Sequence, residues 1–148
     1  MMFNETTSGG SDHAATLGIL ARARPERLKQ LAETLLESMG EIGVLTNRTG
    51  LVMVPMRDTV ENVDFHLGEV LVSEAHIADA AGHVGYGMVT GRDLERAMAM
   101  AVVDLRIATV GEEPATTGFL TEERAHQAEA DTARMRQVEA TRVEMETF

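Results

Sequence analysis

His66 and Glu69, in the stretch FHLGEV (residues 65–70), are the first side chains that invite a chemical reading. A histidine and a glutamate three apart can grip one metal ion when a helix carries both, yet the surrounding residues are of strand type. In a regular strand successive side chains alternate, so the two are expected on opposite faces and cannot chelate together. Gly68 qualifies this, because a β-bulge at that point would add a residue and re-aim one of the pair. His76 and His83 flank the following turn and, like His66, read more naturally as surface or hydrogen-bonded residues than as ligands. No metal site is expected.

HVGYGMVTGRD (83–93) carries the second set. In an extended segment Gly85 and Gly87 share a face and leave bare backbone for close packing, while Val84, Tyr86 and Met88 occupy the other face. Thr90 as N-cap and Asp93 three residues on would form a capping box at the start of a helix. Arg92 then falls in a first helical turn, where a cation opposes the helix dipole, and a carboxylate such as Glu69 or a bound anion would compensate it. The TGRD junction lacks the lysine and extra glycines of a phosphate loop; the sole lysine of the chain is Lys29. No G-x-S-x-G, H-E-x-x-H or G-x-G-x-x-G occurs either. His66, Gly68, Glu69, Tyr86, Gly91, Arg92 and Asp93 are therefore shared-site or interface candidates, and none is assigned a catalytic role.

These residues need a scaffold, and the hydrophobic pattern supplies one. Leu28, Leu31, Ala32, Leu35, Leu36 and Met39 recur at helical spacing after Pro25, with Gly40 as the expected C-terminal cap. Four short apolar segments follow, at 41–46, 51–57, 69–78 and 83–90, separated by turn chemistry at NRTG and DAAG and by a longer loop over 58–68. Pro55 cannot donate to a ladder and places its strand at an edge. Leu94, Ala97, Met98, Ala101, Val102 and Leu105 then mark another helix. The pattern predicts an α+β fold, a four-stranded antiparallel sheet packed with helices, with a C-terminal helical extension. It divides the chain into a loose arm (1–13), a core domain (14–111) and a linker with a helical tail for subunit contacts (112–148). That last segment has nine acids against four arginines and no continuous apolar stripe, so it is expected to be solvated or to lie across another subunit.

Composition narrows the partners. A net charge of -11 repels nucleic acid. With no cysteine there is neither a disulfide framework nor a thiolate site. No signal-like start or membrane span is legible, so a cytoplasmic protein away from the membrane is expected.

FHLGEVLVSEA, GHVGYGMVTGRDLERAMAMAVVDL and the closing ATRVEMETF together resemble the PhnG family of the bacterial carbon-phosphorus lyase system, in order from about Leu17 onward. His66 departs from the F-N-L-G-E form, which favours a hydrogen-bonding corner over a ligand at that position. The resemblance implies a subunit that joins PhnH, PhnI and PhnJ, with a homodimer contact in the assembly. With PhnI, PhnH and PhnL-type partners it supports displacement of adenine from ATP by a phosphonate, giving α-D-ribose 1-methylphosphonate 5-triphosphate. ATP would be a substrate of the complex, with no cofactor on this chain, and the isolated chain would not be catalytic. The alternative is a self-sufficient nucleotide- or anion-binding protein, or a His/Glu metal enzyme, using His66, Glu69, Tyr86 and Arg92.

Overall fold

A computed structural model describes residues 5–146, with side-chain surroundings described for 12–142 apart from His66. Two helices, α1 (Glu5–Ala21) and α2 (Pro25–Leu36), precede three strands, β1 (Ile42–Arg57), β2 (Asp64–Asp79) and β3 (Val84–Thr90). α3 (Leu94–Val110) and α4 (Pro114–Glu146) complete the chain. The sheet is an antiparallel meander in the order β1-β2-β3. The α+β class follows the hydrophobic pattern, and Pro55 does lie on an edge strand.

The four segments expected to be extended are all extended, but 41–46 and 51–57 belong to one continuous strand, so NRTG is strand rather than turn. Polar residues and a glycine do not end a strand whose ladder to β2 continues through them, with Asn47 opposite Ala75 and Gly50 opposite Val72. The expected loop over 58–68 shrinks to a turn at 58–63, where the Asp58 carboxylate accepts the Val60 N–H at 2.9 Å and Asn62 takes a positive φ of 58°. The expected arm boundary at residue 13 falls inside α1, residues 1–4 lying outside the described part.

Close packing of α3 on the sheet fixes the core. A Cβ at Gly87 would lie 2.0 Å from the Ala97 carbonyl oxygen, and one at Gly85 would lie 2.3 Å from that of Ala101. Bare backbone at both positions is therefore what lets the small residues of α3 touch β3. Around this contact Leu20, Leu28, Leu35, Ile77, Val89, Val103 and Leu105 form one buried cluster. Phe119 of α4 joins it, so the tail contributes to the core it was expected to leave. α2 begins at Pro25 as expected but stops at Leu36, ahead of Gly40.

α4 is also tied down by charge. Arg24 Nε donates to Glu123 Oε1 at 3.0 Å, with Glu123 wholly buried, and Gln127 Nε2 donates to the Ile19 carbonyl at 2.9 Å. Arg27 pairs with Glu122, and Arg22 Nη2 donates to Asp131 at 2.8 Å. Arg22 and Arg24, at the junction of α1 and α2, with Arg27 of α2, thus donate to the carboxylates of the first half of the tail. Beyond Asp131 the described part of α4 is exposed, including Met135 and Val138.

Candidate functional site

β1 and β2 each run for 16 residues, while β3 has only 7 and pairs with Val72–Ala78. The hairpin from Gly50 to Val70 therefore extends past the sheet as a two-stranded arm. Its side chains are apolar on both faces. Leu51 and Met53 lie on the side that the core sheet turns to α3, and Val52, Met56 and Phe65 on the other, all exposed. Leu67 is 66% exposed and Leu51 63%, values that a finished apolar surface of a lone domain does not show together with so many neighbours.

Most of the sequence candidates sit on this arm or at its root. Gly68 is opposite Val54 and Glu69 opposite Met53, whereas His66 is opposite Pro55, leaving Leu67 as an extra residue. That is the bulge that Gly68 suggested, and it undoes the strict alternation between positions 66 and 69. The His66 side chain itself lies outside the described residues. At the root, Gly91 has φ 91° and donates its N–H to the Leu71 carbonyl at 2.8 Å. Buried Ser73 locks the same corner: its hydroxyl donates to the Gly91 carbonyl at 2.8 Å and accepts the Asp93 N–H at 2.9 Å. Asp93 is the N-cap, accepting the Arg96 N–H at 3.0 Å, so the expected capping box headed by Thr90 is replaced by a cap three residues later. Arg92 consequently stands before the helix rather than in its first turn. It is exposed and makes no ion pair among the described residues, so the expected compensation by Glu69 is not formed.

Tyr86 belongs elsewhere. It pairs with His76, ten positions along β2 from His66, a separation of about 30 Å in an extended strand. The residues of the self-contained alternative are thus spread along the hairpin rather than gathered into one pocket. Among the described residues no group of three His, Asp or Glu side chains is placed to hold a metal ion.

Around Tyr86 there is a polar network that sequence reasoning missed. Its hydroxyl donates to Glu74 Oε2 at 2.6 Å, Arg48 Nε donates to Glu74 Oε1 at 3.1 Å, and His76 meets the Tyr86 ring edge-on at 6.0 Å. The phenol hydrogen bond, with Arg48 behind it, holds the Glu74 carboxyl below its ordinary range. Burial first, then the Glu74 hydrogen bond and charge, push Tyr86 up to about 12. On the other side of β3, Asp104 of α3 is buried and accepts the Tyr86 N–H at 2.9 Å, while His13 Nε2 lies 2.8 Å from its second oxygen. Period-two spacing of Glu74 and His76 was the available signal; the identity of their cross-strand partner required the register.

A small α+β domain with a projecting apolar hairpin and an exposed helical end is built like a subunit, its unsatisfied surface extending outward from a closed core. The chain belongs to the PhnG family, described as phosphonate metabolism protein PhnG, whose model matches residues 12–148. It is also 28% identical over 142 residues, covering 95% of this chain and 90% of the relative, to a protein of Rhizobium meliloti (strain 1021). That relative is named α-D-ribose 1-methylphosphonate 5-triphosphate synthase subunit PhnG.

Proposed function

We propose that this chain is a non-catalytic subunit of an α-D-ribose 1-methylphosphonate 5-triphosphate synthase in phosphonate catabolism. With PhnH, PhnI, PhnJ and PhnL-type partners it supports displacement of adenine from ATP by a phosphonate, in the cytoplasm. Family membership and the relative's name support the reaction. The observation that carries the structural part is the hairpin arm, exposed and apolar on both faces, which gains stability by entering a partner. Burying apolar surface contributes roughly 25 cal/mol per Å², so the arm alone can contribute several kcal/mol to an assembly.

Within that reading, the part of α4 beyond Asp131, exposed as far as residue 142, contacts a neighbouring subunit, and a homodimer contact forms inside the complex. Arg92, charged and without an ion-pair partner among the described residues, reaches toward a partner's anionic substrate. The test is co-expression with PhnH, PhnI and PhnJ. A stable complex is expected with the wild-type chain, a much weaker one with the double variant Leu51→Asp/Leu67→Asp, and a full but inactive complex with Arg92→Ala. A monodisperse chain that ignores all three partners would overturn the proposal.

A further inference from the structure

We infer that the outer edge of β2 from Asp64 to Val70 receives an extended segment of another subunit of the same assembly, which continues the line of β3 as a fourth strand along the arm. The inference rests on the subunit reading above and adds the mode of contact. β3 ends at Thr90, opposite Val72, and the Gly91 N–H takes the Leu71 carbonyl. Because backbone groups alternate from side to side along a strand, Leu71 and Glu69 direct theirs toward the β3 side, and Val70 directs its own toward β1. Past Gly91 the Glu69 N–H and C=O therefore lie on an edge that no strand among the described residues covers.

The opposite edge is a poorer template. β1 is interrupted there by Pro55, which lacks an N–H in the middle of the arm, whereas the β2 edge keeps its N–H groups although it carries the bulge at Leu67. The β2 edge has no proline. Its flanking side chains Phe65 and Leu67 are exposed and apolar, a surface that a strand-adding partner covers.

Charge identifies the occupant. Segment 64–70 carries Asp64 and Glu69 and no lysine or arginine. Asp64 is answered across the hairpin by Arg57 Nε at 3.6 Å, which leaves Glu69 without a cation among the described residues; two copies of this edge would add two such carboxylates to chains that each carry -11. The strand that fits belongs to a different polypeptide, with alternating apolar side chains and a basic residue opposite Glu69.

Hydrogen exchange at single-amide resolution, on the isolated chain and on the complex co-purified with PhnH, PhnI and PhnJ, tests this. The Glu69 amide should slow roughly tenfold or more on assembly, while the Val70 amide, already paired with β1, stays slow in both. Glu69→Lys should weaken assembly about tenfold and Glu69→Gln less. If the complex forms with Glu69 exchanging as fast as in the free chain, the added strand is overturned and the subunit reading stands. If no complex forms, both fall. Slow Glu69 exchange in the isolated chain at concentrations where it dimerises would assign the edge to a second copy and overturn the inference.

Discussion

Tyr86 and Glu74 join β3 to β2 by a 2.6 Å hydrogen bond from phenol to carboxylate, in a protein with a single tyrosine. The tyrosinate absorbance band therefore reports on this bond alone. Burial and the neighbouring carboxylate raise the phenol to about 12 from an ordinary 10.0. The proton is held more tightly in the folded state, so this contribution to stability is complete below pH 10.0 and is lost as pH rises toward about 12. Titration of the folded protein should give a midpoint near 12, and Glu74→Gln should move it part of the way back, since burial, the larger cause, is unchanged. An unshifted midpoint in Glu74→Gln would remove the bond from the account.

The same bond has an acid limb. Glu74 lies below the ordinary carboxylate range because it accepts from Tyr86 and Arg48. A depressed carboxylate stabilises the fold above its unfolded value of about 4.5 and loses that contribution as pH falls through the folded one. Denaturant melts from pH 6 to pH 3 (values of about these magnitudes bracket ordinary carboxylates) should show a smaller acid loss in Tyr86→Phe than in wild type, because Phe cannot donate to Glu74.

Gly87 and Gly68 are both strand glycines with opposite structural duties. A methyl at Gly87 meets the Ala97 carbonyl and the Ala101 nitrogen, whereas a methyl at Gly68 meets nothing within 4 Å. Gly87→Ala forces α3 off the sheet and should cost about 3 kcal/mol or more, beyond the usual overpacking range of roughly 1–3. Gly68→Ala should stay within about 0.5 kcal/mol. Thermal melts of the two variants decide the matter; equal melting temperatures would contradict the close packing.

How much of this could be read beforehand differs by element. Gly85, Gly87 and the period of α3 announced the helix-on-sheet contact because small residues at fixed spacing have few other uses. Pro25 likewise placed the start of α2. The long hairpin was illegible as such: Asn47, Arg48 and Gly50 have turn composition, and only their pairing with Ala75, Glu74 and Val72 shows that the ladder runs through them. The anchoring of α4 was hidden for a similar reason. Its stripe is weak in apolar residues because Glu123 and Gln127 are buried there on polar partners, and a carboxylate gives no hint in sequence that an arginine about a hundred residues earlier will meet it.

Glu123 and Asp131 provide an internal comparison for that anchoring. Glu123 is buried against Arg24 and Arg27, while Asp131 and Arg22 are both more than half exposed. Glu123→Gln removes the carboxylate that two guanidinium groups share and should cost about 1–3 kcal/mol, the partly exposed arginines recovering some solvation from water. Asp131→Asn should cost less than about 1 kcal/mol and should matter still less at high salt. Denaturant unfolding at low and high ionic strength separates the two; a salt-sensitive loss as large at Asp131 as at Glu123 would show that surface charge, not burial, holds α4.

Truncation then locates the boundary between the part of α4 that completes the domain and the part proposed to serve the complex. Cutting after Gly118 deletes Phe119 from the core together with Glu122, Glu123, Gln127 and Asp131. Loss of one buried aromatic costs about 3–5 kcal/mol, and with the buried ion pair gone the total approaches the whole stability of a small domain, so this variant should be largely unfolded. Cutting after Asp131 leaves every one of those contacts in place and removes a segment whose described part is exposed. That shorter protein should keep the wild-type circular dichroism per remaining helical residue and melt within a few degrees of wild type, while its yield of complex with PhnH, PhnI and PhnJ falls. Full assembly by the chain ending at Asp131 would restrict the interface to the hairpin arm, and unfolding of that chain would mean that the exposed end of α4 stabilises the domain after all.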